Sequence, residues 1–449
     1  MANTLLLISP PFYRLMGSHY NGIHLGLSYI SSVLTQHGYE TLIYNADYLD
    51  STAYLDQREL FENFETYKSI LNDSNYPIWV EVRDAIKNIN PDYLGIQMYT
   101  GTFKSAQNVA KIAKTLNPEI KVIVGGTHPT LDPIGTINFE HYDYVIRGEG
   151  EYTFLDILNR VDPIKIKGLT FKDEKGEIIN NDDREFIDDL DALPFPTRDQ
   201  FYGVNGKIDI GAIITSRGCP FKCKYCASPE IWKRKTRYRS VANVLEELEY
   251  MVRFFNPPLI RFQDDTFTLN KDRAASICEG ILNKQLNIQW ICDTRVDRLD
   301  KELLMLMKQS GCVRIKIGVE SGSDEILKRV DKGITIKQIR NAVRLIKEVN
   351  IPLTIYLMIG FPGETDEDVK KTIQFAEEIK ADYNSLSVIS PYYGTQIYKD
   401  MVAQGFDFEM AHWEYFFHQS REMIMNTSVS PHLIDDFFNL NEKCKGGRV

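Results

Sequence analysis

The sequence predicts an α/β chain with two sheets in tandem and a small helical tail. Five apolar runs (4–8, 41–45, 93–97, 121–124 and 144–147) alternate with helix-like stretches over residues 1–160. Six more (210–216, 259–264, 288–292, 314–318, 353–359 and 386–389) do the same over 206–400. The runs are continuously apolar, the pattern of parallel strands buried on both faces. With right-handed crossovers, the first set favours a doubly wound, Rossmann-like sheet of flavodoxin-like order. Six βα units without a seventh and eighth suggest a partial TIM-type (β/α)6 barrel. A length of 449 residues suits two or three domains.

In the first region, 1–160, the helices are clearest at 25–37, 103–116 and 151–160, and 50–80 reads as an inserted helical segment. Ligands of such sheets sit beyond the carboxyl ends of the strands. Those ends read Ser9-Pro10-Pro11-Phe12-Tyr13, Gln97-Met98-Tyr99-Thr100-Gly101, Gly125-Gly126-Thr127-His128-Pro129 and Arg147-Gly148-Glu149-Gly150-Glu151. Small residues there let a large flat ligand approach the backbone. Ordinary βα turns share this composition. No G-x-G-x-x-G fingerprint follows the first strand, and no Gly-Lys-Ser/Thr phosphate loop is present. A connector spans 161–205: 168–180 reads as a β-hairpin, and the acidic, proline-bearing 188–198 as an extended linker.

The barrel region, 206–400, opens with TSRGCPFKCKYC, in which Cys219, Cys223 and Cys226 stand at the spacing C-x3-C-x2-C. Cysteine thiolates hold four-iron four-sulfur clusters, and three of them leave one iron open to another ligand. Arg217, Lys222 and Lys224 place positive charge around the thiolates, favouring the ligating form. The alternatives are a zinc site or three core cysteines. Zinc calls for a fourth Cys or His at short spacing, and the next cysteine is the distant Cys278. The other strand ends are polar: Asp264-Asp265, Asp293-Thr294-Arg295, Glu320-Ser321-Gly322 and Gly360-Phe361-Pro362-Gly363-Glu364. Asp264, Glu320 and Glu364 are also placed to cap helices, a reading favoured for Glu364 and Asp366.

The composition is that of a soluble globular protein, with 43% hydrophobic and 25% charged residues. A net charge of −10 argues against nonspecific nucleic-acid binding. The basic run 233–239, KRKTRYR, reads as a solvated face whose place after the cysteine loop raises its functional interest. No apolar stretch reaches the ~18 residues of a membrane span, and the start lacks the basic segment of a signal peptide. Seven cysteines without paired spacings suggest a reducing, cytoplasmic setting. In the tail, 401–449, the aromatic run 406–417 suggests packing against the barrel or closure of its pocket, and 441–449 a frayed end.

The cysteine spacing, with an aromatic residue before the last cysteine, resembles the signature of the radical S-adenosylmethionine (radical SAM) family. The strand-end blocks of the barrel, including Gly360–Glu364, resemble that family too. GGTHPTLDP and DYVIRGEGE, ahead of the cysteine loop, resemble its cobalamin-binding subfamily. The resemblance covers roughly 1–400. It implies a four-iron four-sulfur cluster on Cys219, Cys223 and Cys226, with SAM on the open iron. SAM contacts are implied for Tyr225, Asp265, Arg295, Glu320 and Gly360, with Arg295 suited to the SAM carboxylate. Asp265 is placed to face the substrate as an alternative. Cobalamin is implied over Pro11, Phe12, Tyr99, Thr100, Gly101, Gly126, Thr127, His128, Glu149 and Gly150.

The D-x-H-x-x-G motif that supplies an axial histidine in other cobalamin proteins is missing, since His24 lies in GIHLG. Cobalamin is therefore expected without a histidine ligand, His128 being a loop or corrin-edge residue. The implied activity is methylation of an unactivated carbon of a small, natural-product-like molecule. An external electron donor such as flavodoxin or ferredoxin would supply reducing equivalents. A cyclase, ring-contraction or oxidation enzyme with the same cofactors is the alternative; a cobalamin- or SAM-sensing module is the third reading.

Overall fold

The computed structural model describes residues 4–204, 208–408, 412–420 and 428–443. The chain divides into two compact units: 1–55 with 62–210 and 409–416, and 56–61 with 211–408 and 417–449.

The first unit carries a seven-stranded sheet. Its strands are β1 (Leu5–Ser9), β2 (Thr41–Asn45), β3 (Tyr93–Gln97), β4 (Lys121–Gly125), β5 (Tyr144–Ile146), β6 (Leu169–Lys172) and β7 (Ile178–Asn180), in the order β2-β1-β3-β4-β5-β6-β7. The first five are parallel and keep the flavodoxin-like order that the apolar runs predict. Leu5, Leu7, Ile43 and Ile123 bury one face against Leu27, Leu34 and Phe154 of the flanking helices Leu25–Gln36 and Glu151–Leu158. Each such side chain, fully buried, contributes about 1.5–3 kcal/mol. The hairpin of the connector is built into this sheet: β6 pairs antiparallel with β5, and β7 with β6. Arg147 anchors it through Thr170 Oγ1, Asn180 Oδ1 and the carbonyl of Leu169. The inserted segment forms helices Phe64–Asn72 and Pro77–Ile89, preceded by Gln57–Glu62.

The second unit holds six parallel strands in the order β15-β14-β13-β12-β11-β8, the open barrel that the sequence predicts. They are β8 (Ala212–Ile213), β11 (Ile260–Phe262), β12 (Trp290–Thr294), β13 (Cys312–Glu320), β14 (Leu353–Ile359) and β15 (Tyr383–Val388). The predicted first strand is cut short. Past β8 the chain turns into β9 (Ser216–Arg217), which pairs antiparallel with β10 (Arg237–Tyr238). Strand pairing fails because a buried carboxylate takes the amides: Asp264 accepts hydrogen bonds from Thr215 N (2.7 Å) and Ser216 N (2.6 Å).

Helices Ile336–Val349 and Asp366–Ile379 begin in capping boxes, Thr335 with Gln338 and Thr365 with Asp368. Thus Glu364 and Asp366 do not cap. Glu364 folds back onto the amides of Gly360 (2.6 Å) and Phe361 (3.1 Å), and Asp366 binds the amide and hydroxyl of Ser430. No helix among the described residues is long and apolar enough to cross a membrane.

The tail also departs from expectation. Trp413–Tyr415 packs on the first unit, where the sequence suggested the barrel: Tyr415 meets Phe64 edge-on (5.5 Å) and Trp413 lies 5.6 Å from His128. Aromatic rings seek any apolar face, and the inserted helix Phe64–Asn72 supplies one. The 441–449 end lies mostly outside the described residues.

Candidate functional site

The cysteine loop leaves the carboxyl end of the first barrel strand. Asp264 holds its root, accepting also from Thr215 Oγ1 (2.7 Å) and Ser216 Oγ (3.0 Å). Arg273 clamps the same turn from the other side, donating to Thr215 Oγ1 (3.0 Å) and Thr215 O (2.9 Å). A carboxylate with four donors and a guanidinium on one turn fixes the backbone that follows. Beyond it Cys223 is buried, while Cys219 and Cys226 are half-buried. The Cys226 amide bonds Cys223 O (3.1 Å), and the Ser228 amide points at Cys226 Sγ (3.4 Å), a donor suited to a ligating thiolate. Beneath the loop Tyr225 packs on an apolar cluster of Ile326, Val330, Met358, Phe361, Ile389 and Ile397.

Burial pushes the Cys226 thiol up to about 12, and nearby Asp265 adds to the rise. Such thiols ionise when a cation binds them. Among the described residues no three Cys, His, Asp or Glu side chains converge as ligands of a single metal ion.

Around the loop stand the residues that the sequence singled out. Asp265 is held by Ser228 Oγ (3.0 Å); burial lifts its carboxyl above the usual range, and that hydrogen bond pulls it back. Glu320 adopts left-handed backbone (φ 67°) where the β13–β14 register shifts, a bulge that re-aims its side chain. Its Oε1 accepts from Lys332 Nζ (2.5 Å), which also reaches the Tyr225 hydroxyl (3.1 Å). Arg295 stands at the cysteine loop: it stacks on Phe221 (3.6 Å), pairs with Asp297 (3.0 Å) and donates to Lys332 O (3.0 Å). Gly360 meets Glu364, whose carboxyl burial pushes up to about 8 against the pull of two amides. Lys332 was missed in the sequence, as was His418. The latter's carbonyl accepts from Val388 N (2.8 Å), its ring lies 3.4 Å from the Tyr392 hydroxyl, and burial lowers its pKa while Glu320 raises it. Neither carries a motif; both are brought in by folding.

In the first unit the strand-end loops assemble around different anchors. Asp47 receives the amides of Phe12 (2.7 Å) and Arg14 (3.0 Å), and Ser105 Oγ donates to Pro11 O (2.5 Å). Burial raises the Asp47 carboxyl to about 6, the amides opposing it. Tyr99 is 43% accessible, yet burial pushes its hydroxyl to about 12, with Tyr20 and Tyr13 adding to the rise. Gly101 is buried, its carbonyl 3.2 Å from the Tyr67 hydroxyl. Gly126 (φ 124°) brings the β4 loop onto the β3 loop, where a Cβ would stand 2.5 Å from Met98 O.

Thr127 opens the short helix Thr127–Leu131. His128 is fully buried beneath Phe103 and Trp413, with Nδ1 3.1 Å from Thr100 Oγ1, and burial lowers it to about 4. Glu149 accepts from the Ile187 amide (2.8 Å), and Gly150 packs against Ile30. These loops thus bring small residues together with buried anchors.

A family model for the radical SAM superfamily matches residues 213–376, and one for the B12 binding domain matches 17–158. An uncharacterized methyltransferase of Pyrococcus horikoshii is 37% identical over 332 residues, 72% of either chain. The chain belongs to the radical SAM superfamily, with a B12-binding domain at its front. A second relative of this radical SAM enzyme is the anaerobic magnesium-protoporphyrin IX monomethyl ester cyclase of Rubrivivax gelatinosus. It is 26% identical over 350 residues, covering 73% of this chain and 62% of the cyclase. The structure of the radical SAM methyltransferase TsrM from Kitasatospora setae, with cobalamin and a [4Fe-4S] cluster bound, superposes with a TM-score of 0.68. That match covers 90% of this chain and 75% of TsrM at 17% identity, a likeness of fold.

Proposed function

We propose that this radical SAM enzyme is a cobalamin-dependent methyltransferase acting on an unactivated carbon of a small molecule in a reducing, cytoplasmic setting. The observation that carries the reading is the three-thiol loop at the first barrel strand end, fixed by Asp264, in a chain whose first unit is a B12-binding domain. The cofactors supply, when bound, reductive cleavage of SAM to a 5′-deoxyadenosyl radical and a transferable methyl group. The protein's part is to hold and orient. Cys219, Cys223 and Cys226 are the cluster ligands, and the Ser228 amide steadies Cys226. Tyr225, Glu320 and Lys332 form one hydrogen-bonded edge for SAM, with Asp265 on the side of Ser228. Arg295 acts by bracing the cysteine loop through Phe221. In the first unit Tyr99 and the loops from Pro11, Thr100 and Gly126 would form the corrin-facing surface, with His128 a buried support beneath it. The methyltransferases among the compared proteins favour methyl transfer. The similarity to the cyclase supports a second reading, in which the same cofactors close a ring.

Anaerobic reconstitution tests both. Iron, sulfide and corrin are measured, then products with candidate substrates. S-adenosylhomocysteine formed alongside 5′-deoxyadenosine indicates methyl transfer; 5′-deoxyadenosine alone indicates the second reading. Zinc in the loop, or absence of SAM cleavage in the iron-loaded protein, sinks the proposal.

A further inference from the structure

The wall of the partial barrel carries charges that nothing above uses. Along β13 the fully buried Ile315 and Ile317 alternate with Arg314, Lys316 and Gly318, which are half-buried. Successive side chains of a strand point to opposite faces, so these three positions share one face. It is the face of the Glu320–Lys332 pair: a Cβ on Gly318 would stand 2.4 Å from Glu320 Oε1 and 2.6 Å from Lys332 Nζ. Lys316 lies two residues below, roughly 7 Å along the strand. It sits in register between Asp293 of β12 and Thr354 of β14. Asp293 is turned to another partner, accepting from the Tyr356 hydroxyl (2.6 Å). Burial lifts the Asp293 carboxyl above its usual range, and Lys316 and that hydroxyl pull it back. Neither Lys316 nor Arg314 meets a carboxylate at ion-pair distance among the described residues. The hydroxyl of Thr354, next to Lys316 in the sheet, is buried and has no hydrogen-bond partner among the described residues.

We propose that Lys316 and Thr354 anchor the substrate of this enzyme by an anionic oxygen group, a carboxylate or a phosphoryl group, with Arg314 as a second cation on the same wall. The proposal rests on reading the Glu320–Lys332 pair as the SAM edge. A half-buried ammonium without a counter-ion and a buried hydroxyl without a partner each cost stability. An oxyanion between them satisfies both, since the ammonium supplies charge and up to three donors and the hydroxyl one more. The carboxylates nearby do not: Glu320 is taken by Lys332, and Asp293 by Tyr356. Roughly 7 Å of strand separates this anchor from the SAM edge, which fits a molecule about one ring or a short chain in length. A cationic substrate would meet like charge on this wall, and a neutral one would leave the ammonium unpaired.

The test uses the full-length enzyme reconstituted anaerobically. The probes are phenylphosphonate, phenylacetate and, as their neutral counterpart, phenylacetamide, with dissociation constants from ligand-observed NMR titrations at fixed ionic strength. One anion at least should bind about tenfold more tightly than the amide, and which one does so separates a phosphoryl from a carboxylate substrate. Lys316→Met should abolish that preference and Lys316→Arg should keep it, while Arg314→Met and Thr354→Val each weaken it about threefold. Iron and corrin content should stay within about twofold of wild type in every variant. Melting temperature separates an anchor from a structural lysine. Without ligand, Lys316→Met should melt at or above wild type, because an unpaired charge is removed; added anion should raise the wild type and not the variant. Equal affinity for the anions and the amide would overturn the proposal, as would a preference that survives Lys316→Met. So would a ligand-free Lys316→Met protein melting well below wild type, which would make the lysine a structural partner of Asp293. A wild-type enzyme that cleaves no SAM would instead defeat the radical reading beneath, since the anion titrations do not involve that step.

Discussion

The two proposed cofactor sites of this chain are built in opposite ways. In the second unit the proposed cluster ligands come from eight consecutive residues, Cys219 to Cys226, and the fold braces that loop with Asp264, Arg273 and Arg295. In the first unit no single stretch carries the site. Loops after several strands contribute, and residues hundreds of positions away complete them: Trp413 covers His128, and the Tyr67 hydroxyl lies between Gly101 O (3.2 Å) and Glu414 O (2.9 Å). A cluster must be held by covalent ligands at fixed short spacing. A corrin is held by shape over a wide surface, which any suitably placed backbone can supply.

The contrast can be broken by separating the two losses. Cys223→Ala should abolish SAM cleavage while leaving hydroxocobalamin affinity unchanged; parallel loss of both would show the sites to be one cooperative structure. Asp264→Ala strands the Thr215 and Ser216 amides and should cost about 3–5 kcal/mol of local stability. Reconstituted iron should drop severalfold at constant corrin binding. Trp413→Ala is the mirror image: hydroxocobalamin affinity, followed by its visible spectrum, should weaken about 3–10-fold with iron unchanged. A corrin affinity equal to wild type would remove the tail from the first site.

The smallest effect is expected at Glu364. Its folded-state pKa of about 8 lies above the ordinary value of 4.5, so the folded protein binds the extra proton between those values. Stability tied to this group is present below pH 4.5 and lost as pH rises towards 8. Glu364→Gln, which keeps an acceptor for Gly360 and Phe361, should therefore gain a few degrees in melting temperature over wild type as pH rises through that window. A constant difference across that range would contradict the burial argument.

How much was legible follows the same division. Uninterrupted apolar runs mark buried parallel strands wherever they occur, so β14 stands where its run lay and β1 within one residue of it. The cysteine loop was visible because its three thiols are neighbours in the chain. The end of the first barrel strand was not, since Asp264 claims two amides that periodicity alone assigns to a strand. Glu364 has the sequence of a helix cap, but Thr365 with Asp368 won that role and left the carboxyl to the loop before it. Arg295 has the chemistry of a carboxylate partner; its stacking on Phe221 depends on where a distant loop comes to rest. Lys332 and His418 are ordinary residues in ordinary contexts until the chain closes beside Glu320.

The sequence by itself determined the order of two parallel α/β sheets and marked the three-cysteine loop, because both are written in local spacing. Tertiary structure alone decided which carboxylates brace, which cations line a surface and which part of the tail joins the first unit. Those roles depend on burial and on neighbours far along the chain, and neither is encoded in any short window of residues.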